Sequence, residues 1–466
     1  MKNYLVFTMA TLLLGTACSC KKDHAEGFTG APGEVKLITL DPGHFHAALV
    51  QKVSYPQVSK DVYVYAPTGF DVNEHLKRIE GFNTRAENPT LWNEIVYTGT
   101  DYLEKMLAEK KGNVMIQAGN NGKKTEYIKK TLEAGINVLS DKPMAINSQN
   151  FKLLEECFDI ARQKNVLLYD IMTERNEITT MLQRELSTIP AIYGEQLKGS
   201  PDEPAIVKES VHHLFKLVDN KPLTRPVWYF DVTQQGEGIV DVTTHLVDLV
   251  QWEAFPEQII DYKKDIELVD ANRWTTSISP EEFKQVTGTD DYPDFLKKDV
   301  ENDTLKVYCN GDIVYKIKGV TAKVSVIWNY TFPEGGGDTH FSVMKGSKAD
   351  LIIRQGQEQG YKPELYIEAL PDIDLAAYEK ELAAAMSTVA DKYPGVALDK
   401  VSDNVWQVQI PATYRVGHEA HFGQVMENYL QYLQDGKLPD WEVPNMIAKY
   451  YVTTHALEMA KVKAKK

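Results

Sequence analysis

The sequence predicts an α/β protein with two domains. A Rossmann-like, doubly wound parallel sheet comes first, and an α+β domain with a large, open, mainly antiparallel sheet follows. Strand and helix patterns alternate over residues 36–172, which is typical of parallel sheets with right-handed crossovers. From about residue 175 strand-like alternation dominates, and two amphipathic helical patterns, 418–435 and 443–463, end the chain. We assign residues 173–466 to the second domain.

Composition limits the class of partner. The chain has 466 residues, of which 43% are hydrophobic, as expected for a packed protein of two domains. It carries 51 Lys and Arg against 66 Asp and Glu, a net charge of −15. Nucleic acids and anionic membrane surfaces bind basic faces, so the charge weighs against both. Small neutral substrates remain open.

The N-terminus predicts export. Residues 1–14 contain one lysine and a short apolar run, which matches a signal peptide and is too short to span a bilayer. Small residues precede Cys18, and Cys20 follows, which resembles a bacterial lipoprotein cleavage box. An ordinary secretory signal is the alternative. We expect a signal peptide over 1–20 with Cys18 or Cys20 lipidated, a flexible tether over 21–35, and a periplasmic or membrane-anchored protein.

Two cysteines lie beyond the signal region, Cys157 and Cys309. They fall in different predicted domains, one on a helix and one on a strand. We therefore expect buried thiols and no structural disulfide.

The first domain is predicted from short apolar runs. The predicted strands are 35–40, 61–65, 114–118, 136–139 and 166–169, and the predicted helices are 47–51, 125–134 and 148–164. In place of a G-x-G-x-x-G fingerprint, the first strand is followed by Asp-Pro-Gly-His-Phe-His, residues 41–46. Gly43 can still allow close approach of a diphosphate, to which His44 or His46 could donate. Tyr65 stands where an acidic residue usually binds the ribose.

The second domain is predicted to contain a hairpin at Asn310-Gly311, between strands 305–309 and 313–317. Further strands are predicted at 322–328, 340–344, 349–354, 365–369 and 406–410, with loops and helices at 255–300 and 373–395. A cleft between the two domains is the expected ligand site.

Two short motifs carry the predicted chemistry. Asp141-Lys142-Pro143 follows a parallel strand, at the end that faces the ligand crevice in open α/β sheets. Asp241 and His245 are four residues apart, which on a helix places them within reach of each other. A carboxylate neighbour orients a histidine and raises its basicity. A surface lysine, and a capping aspartate with a core histidine, are the structural alternatives.

Together the motifs resemble those of the Gfo/Idh/MocA oxidoreductases, the glucose–fructose oxidoreductase and inositol dehydrogenase family. That family has Glu-Lys-Pro after its fifth Rossmann strand and an Asp-x-Gly-x-His-x-x-Asp segment in its second domain. Here Asp141 replaces the glutamate and Thr243 the glycine, while Asp248 ends the second motif. The resemblance covers about residues 36–464 and is greatest to a secreted, Bacteroidetes-type branch with an oxidoreductase C-terminal domain.

The resemblance implies an oxidoreductase that binds NAD, or NADP, and acts on an alcohol. His245, oriented by Asp241, would take the hydroxyl proton, and Lys142 would stabilise the alkoxide. The implied cofactor-binding residues are Gly43, His44, Phe45, His46, Tyr65, Asn120, Asn121, Asp141, Lys142 and Arg175. The implied substrate-binding residues are Lys142, His213, Tyr229, Asp241 and His245, with Trp228 as a further candidate.

No metal site is expected. His44 and His46 are assigned to the phosphate side, and His418 and His421 lack the HExxH spacing of zinc proteases.

The predicted function is oxidation of a secondary alcohol of a sugar or glycoside, specifically at the 3-position. Because export removes the protein from free NAD, we expect a tightly held cofactor that is recycled internally. An NAD-dependent glycosidase and a degenerate carbohydrate-binding lipoprotein are the alternatives. A homo-oligomer formed through the antiparallel sheet is left open.

Overall fold

The computed structural model describes residues 27–218, 221–333 and 335–465. The predicted signal peptide, with Cys18 and Cys20, lies outside the described residues. The first domain is a six-stranded parallel sheet of order β3-β2-β1-β4-β5-β6. Its strands are β1 (Leu37–Leu40), β2 (Asp61–Ala66), β3 (Asn93–Thr98), β4 (Val114–Gln117), β5 (Asn137–Asp141) and β6 (Leu168–Ile171). This order is the Rossmann topology, and the strand order reverses between β1 and β4.

Helices connect these strands. They are α1 (His46–Leu49), α2 (Phe70–Thr84), α3 (Tyr102–Glu109), α4 (Asn121–Glu133) and α5 (Ser148–Lys164). Sequence analysis missed α2, β3 and α3. Strand β3 is largely exposed at the sheet edge, so it lacks the apolar pattern of a buried strand. Strand β6 begins two residues later than predicted.

The second domain contains a ten-stranded sheet in which nine strands follow the order β10-β12-β13-β7-β14-β15-β16-β18-β17 and β11 pairs with β12. Within this sheet the β7–β13 pair is parallel, and the other described pairs are antiparallel. The predicted mainly antiparallel sheet is therefore confirmed. Its strands are β7 (Ile206–His213), β10 (Ile266–Ile278), β11 (Val300–Glu301), β12 (Thr304–Ile317), β13 (Val320–Asn329), β14 (Thr339–Lys345), β15 (Ala349–Gln355), β16 (Glu364–Ala369), β17 (Ala397–Ser402) and β18 (Val405–Gln409). A separate two-stranded ribbon joins β8 (Leu217–Val218) and β9 (Lys221–Pro222).

The remaining helices are α6 (Ile178–Ser187), α7 (Thr243–Ala254), α8 (Tyr262–Asp265), α9 (Pro280–Thr287), α10 (Leu375–Lys392), α11 (His418–Asp435) and α12 (Glu442–Lys463). The region 255–300, predicted as loops and helices, also holds the 13-residue strand β10.

The predicted hairpin at Asn310-Gly311 is wrong. Strand β12 runs straight through both residues, and the chain turns at Lys318 and Gly319, which both have positive φ. Gly311 serves close packing, because a Cβ there would lie 2.8 Å from the Cβ of Ile239. The Asn310 amide bonds across strands, accepting from the Trp328 backbone N–H at 2.6 Å.

The position of helix α11 in the chain assigned it to the second domain, but the helix packs in the core of the first domain. Its apolar residues, Phe422 and Tyr429 among them, lie in the same core cluster as the Rossmann strands. Tyr429 stacks on Tyr169 of β6. Helix α11 therefore returns to the first domain, whereas α12 contributes to both cores.

Part of the predicted tether is packed. The Glu34 carboxylate accepts from the backbone N–H groups of Thr29, Gly30 and Ala31, and Phe28 packs against the first core. Val35 is buried and bridges to Val58. The folded chain thus begins before residue 35.

No helix among the described residues is long and apolar enough to cross a membrane. Cys157, buried in the first core, and Cys309, on β12, are both free thiols.

We expect a carboxyl group on β3 to make the stability of the protein pH-dependent. Burial raises the pKa of Glu94 to about 7, although the Gln51 amide donates to it at 2.7 Å. The folded state then holds a proton that the unfolded state releases near pH 4.5, so the contribution of Glu94 to stability falls by about 3 kcal/mol as the pH rises through 4.5 to 7. The buried His75, 3.9 Å away with its pKa lowered to about 4, acts in the opposite direction, so the fall is measured by thermal unfolding at pH 5 and 8 as the difference between wild type and Glu94→Gln. The exposed Glu133→Gln is the matched control; an equal pH dependence in both variants would contradict the assignment.

Candidate active site

The candidate active site lies where the carboxyl ends of β1, β4 and β5 meet the second domain. Lys142 follows β5 directly, and its Nζ lies 2.8 Å from Oδ1 of Asp241. Both side chains are about nine-tenths buried. The two motifs predicted from the sequence are therefore brought together, although they lie 99 residues apart.

Asp241 is held by the turn before α7 and not by the helix. Its backbone N–H donates to the Glu237 carbonyl, and its Oδ2 accepts from the Gln235 amide at 3.0 Å. A Cβ at Gly238 would lie 1.8 Å from the Cys309 carbonyl oxygen, so only glycine allows the turn to pack on β12. The predicted contact between Asp241 and His245 is wrong, because α7 begins after Asp241 and the carboxylate is bound to Lys142 and Gln235.

His245 lies in the first turn of α7 and is buried, 9% exposed. Its Nδ1 has no hydrogen-bond partner within the described residues. Burial, and then the positive charge of Lys142, hold the pKa of His245 well below its ordinary value. His245 is therefore a neutral imidazole at pH 7, as a base must be before it accepts a proton.

Lys142 keeps its positive charge. Burial alone would lower the pKa of this lysine, but the carboxylates of Asp241 and Asp141 outweigh burial and raise it. The ammonium of Lys142 lies near enough to His245 to lower the pKa of the imidazole, so a charged and a neutral acid–base group stand together, which is the combination that alcohol oxidation requires.

The predicted phosphate turn follows β1. Asp41 has a positive φ of 46°, the backbone conformation that the first glycine of a fingerprint provides. The N–H groups of Gly43 and His44 both donate to the Ala118 carbonyl at 3.1 Å. Two amides that would otherwise face a phosphate are therefore already bonded within the protein.

The second domain covers this turn. The Trp228 indole lies against Gly43, where a Cβ would come within 3.0 Å of the ring, and its N–H donates to Asp71 at 2.9 Å. Beside the turn a cavity of about 60 Å³ is lined by residues of both domains, among them Phe45, Arg78 and Tyr229. A nicotinamide dinucleotide would be held by Lys142 and His245 at its reacting end and by the backbone at Gly43 along its diphosphate. Because the Trp228 ring lies against Gly43, the diphosphate can reach this glycine only if Trp228 moves.

Three predicted cofactor residues bind neighbours in both domains. Asn120 caps α4, accepting from the Gly122 N–H, and its amide donates to Gln234. Asn121 donates to the Gln235 carbonyl at 2.7 Å. Asp141 accepts from His46 at 2.9 Å. They hold the edge of the crevice and the turn that carries Asp241.

Two predicted cofactor residues are placed elsewhere. Tyr65 is buried in the Rossmann core, and its hydroxyl donates to Glu109 at 2.7 Å. Arg175 donates twice to Asp248, at 2.6 and 2.7 Å, and once to Glu442. Its guanidinium is committed to buried carboxylates, so it is a structural residue and not a cofactor ligand.

Of the predicted substrate residues, Tyr229 lines the cavity beside the β1–α1 turn, whereas His213 is buried. His213 bonds Asp338 at 2.9 Å, and Arg225 lies over the Tyr229 ring, 4.8 Å from its centroid. The neighbouring His212 stacks on Trp328, with ring centroids 4.9 Å apart. This part of the second domain combines aromatic faces with charged groups.

Sequence analysis missed several residues at this site. Lys124 is fully buried and donates to the Asp141 carbonyl at 2.8 Å, and burial lowers its pKa to about 8. Asp338 and Gln235 lie in loops without any motif. His418 reaches the site from α11, with its ring 5.7 Å from that of His46. No local pattern marks these residues, because tertiary packing alone brings them to the crevice.

Comparisons with known proteins agree with this fold. Residues 182–461 match the family model described as "Putative oxidoreductase C terminal domain", and residues 72–170 match "Oxidoreductase family, NAD-binding Rossmann fold". A crystal structure described as a putative oxidoreductase from Parabacteroides merdae is 88% identical, with a TM-score of 0.93 over 94% of this chain and all of that chain. A search of curated proteins finds no match.

More distant solved structures share the fold. A levoglucosan dehydrogenase in complex with NADH is 13% identical, with a TM-score of 0.59 over 92% of this chain and 97% of that chain. A 3-ketoreductase from Actinomadura kijaniata, in complex with TDP-benzene and NADP, is 13% identical, with a TM-score of 0.55 over 91% and 97%.

Fold and site thus define an oxidoreductase with an NAD-binding Rossmann domain. The chain belongs to the Gfo/Idh/MocA family, in the branch that carries the oxidoreductase C-terminal domain.

Proposed function

We propose that this oxidoreductase oxidises a secondary alcohol of a sugar or glycoside, at the 3-position, with NAD. The observation that carries the proposal is the pairing of a charged Lys142, 2.8 Å from Asp241, with a neutral His245 at the carboxyl end of β5. When bound, the nicotinamide accepts the hydride that leaves the alcohol carbon.

The protein supplies acid–base groups and positioning. The unprotonated nitrogen of His245 takes the hydroxyl proton, while Nζ of Lys142 donates a hydrogen bond to the developing alkoxide. Asp241, anchored by Gln235, holds the ammonium in place and keeps it charged. Burial of all three groups excludes water and strengthens their interactions.

Two residues of the second domain support a sugar as substrate. Tyr229 lines the cavity beside the β1–α1 turn and can contact the apolar face of a pyranose, and the partly exposed carboxylate of Asp338 can accept from hydroxyl groups. Two solved structures of the same fold support this substrate class by their descriptions. One is a levoglucosan dehydrogenase, and the other is a 3-ketoreductase, a description that supports the 3-position.

The proposed setting is outside the cytoplasm, on a lipid anchor at Cys18 or Cys20, and its support is the sequence of residues 1–20. Because free NAD is scarce there, the proposed cycle keeps one bound cofactor, which a second keto-sugar reoxidises.

Mass spectrometry and isotope labelling test the proposal. We expect denatured protein to release NAD or NADP, and methyl glucoside labelled with deuterium at C3 to give a deuterated dihydronicotinamide and a 3-keto-glycoside. Label at C2 or C4 should stay on the sugar, which is the internal control. A free sugar as the product would indicate a glycosidase, and absence of both nucleotide and turnover would indicate a carbohydrate-binding protein.

A further inference from the structure

Three potential metal ligands converge beside the β1–α1 turn. His44, His46 and Asp141 each place one ligand atom within 4.8 Å of the other two. Nδ1 of His46 lies 2.9 Å, and Nδ1 of His44 3.8 Å, from Oδ2 of Asp141. The carboxylate is 95 residues from His46 in sequence, so the sequence alone shows only a pair of histidines.

The spacing suits a small metal ion. Metal–ligand bonds of about 2.0–2.1 Å in a tetrahedron separate neighbouring ligand atoms by about 3.3 Å. The measured separations of 2.9 and 3.8 Å bracket that value. With all three ligand atoms within 4.8 Å of one another, side-chain adjustments would let one ion contact all three.

The ligands have suitable donor atoms. Nδ1 of His46 contacts the Asp141 carboxylate, and Nδ1 of His44 accepts from the His46 backbone N–H at 3.4 Å, so a metal ion bound at these nitrogens would displace the proton of the first and replace the hydrogen bond of the second. Two imidazoles and a carboxylate that leave one position open are typical of zinc and of divalent iron, and calcium and magnesium prefer oxygen ligands.

The surroundings hold the ligands in position. Lys124 donates to the carbonyl of Asp141, and the Phe422 ring packs on His46 with centroids 4.6 Å apart. His44, by contrast, is 23% exposed at its side chain and faces the crevice. The open coordination position would thus be reached from the crevice.

Two lysines act against a cation here, and two carboxylates offset them. Lys142 is paired with Asp241 at 2.8 Å. Glu174 adds a negative charge near Lys142 and lies 4.0 Å from His418. Lys124 donates to the backbone carbonyl of Asp141 at 2.8 Å, which leaves the carboxylate facing the two histidines.

We propose that His44, His46 and Asp141 bind one divalent transition-metal ion of the zinc class. The backbone amides of Gly43 and His44 already donate to the Ala118 carbonyl and are not free to bind an anion. The metal ion would supply a positive charge at this turn. The fourth position would take water or an oxygen of a bound ligand.

Metal binding is testable without substrate or dinucleotide, so its failure is separate from failure of the proposed function. Untagged protein, stripped with a chelator, is titrated with Zn²⁺ by calorimetry and with Co²⁺ by visible absorption. We expect one ion per chain, with cobalt bands typical of four-coordination. His46→Gln and Asp141→Asn should weaken binding at least tenfold, whereas His455→Gln, on α12, should not.

His44→Gln is the second variant, because this partly exposed side chain is the least needed for folding. Circular dichroism and melting temperature verify that each variant is folded. The proposal would be overturned if wild type binds neither ion saturably, or if all three ligand variants bind as tightly as His455→Gln.

Discussion

Replacing Lys142 by methionine should lower kcat for sugar oxidation by about 10²–10⁴-fold, the range that a positioned acid–base group contributes. The substitution preserves the length of the side chain and removes the ammonium that lies 2.8 Å from Asp241. Because Lys142 acts on charge that develops in the transition state, KM should change far less than kcat. Steady-state kinetics with the labelled glycoside of the proposed test provide the measurement.

Lys316→Met is the matched control for Lys142→Met. Lys316 lies on β12 and pairs with Glu267 on the neighbouring strand. We expect that variant to keep wild-type kcat within about twofold, since surface substitutions rarely matter. A Lys142→Met protein that is folded, retains its dinucleotide and loses less than about tenfold in kcat would contradict the role given to the ammonium group. His245→Gln should behave like Lys142→Met if the two groups share one step.

Replacing Arg175 by methionine should destabilise the protein by about 3–5 kcal/mol, the cost of breaking a buried ion pair on one side. Asp248 accepts from both Arg175 and Lys449, and Glu442 accepts from Arg175. Lys449 also lies 2.7 Å from Asp170 of β6. The loss of Arg175 leaves the buried Glu442 without a cation and leaves Asp248 with Lys449 alone.

The network joins both domains, which makes its loss costly. Arg175 follows β6, Asp248 lies on α7 and Glu442 begins α12. Thermal unfolding measures the effect, with Arg162→Met as control because Arg162 is 79% exposed and pairs only with Asp159 three residues away. A melting temperature for Arg175→Met as high as that of Arg162→Met would show that the network is not needed. Since α7 carries His245, kcat should also fall in the folded fraction.

Much of the site was predictable because ligands of open α/β sheets bind at the carboxyl ends of the strands. Lys142 was predicted from its place after a parallel strand, and His245 from a motif, and both lie in the crevice. The partner of Asp241 was predicted wrongly. Four-residue spacing places two side chains together only inside a helix, and α7 starts two residues too late.

Asn-Gly was also misinterpreted, for a similar reason. Asn310-Gly311 has the composition of a tight turn, and local preference alone would place the turn there. Tertiary packing keeps this segment in a strand, because the turn before α7 contacts β12 at Cys309 and Gly311. At Gly311 this contact requires a residue without a side chain.

Periodicity in the chain was enough to establish the two-domain α/β architecture, the mainly antiparallel second sheet and the exact limits of α5 and α11, since burial of an apolar face is a local, repeating constraint. Tertiary structure alone decided the partners of charged groups: Asp241 with Lys142, Arg175 with Asp248, and Asp141 with His46. The partners of these pairs are 73 to 99 residues apart in the sequence, and no local repeat in the sequence indicates which of them come into contact.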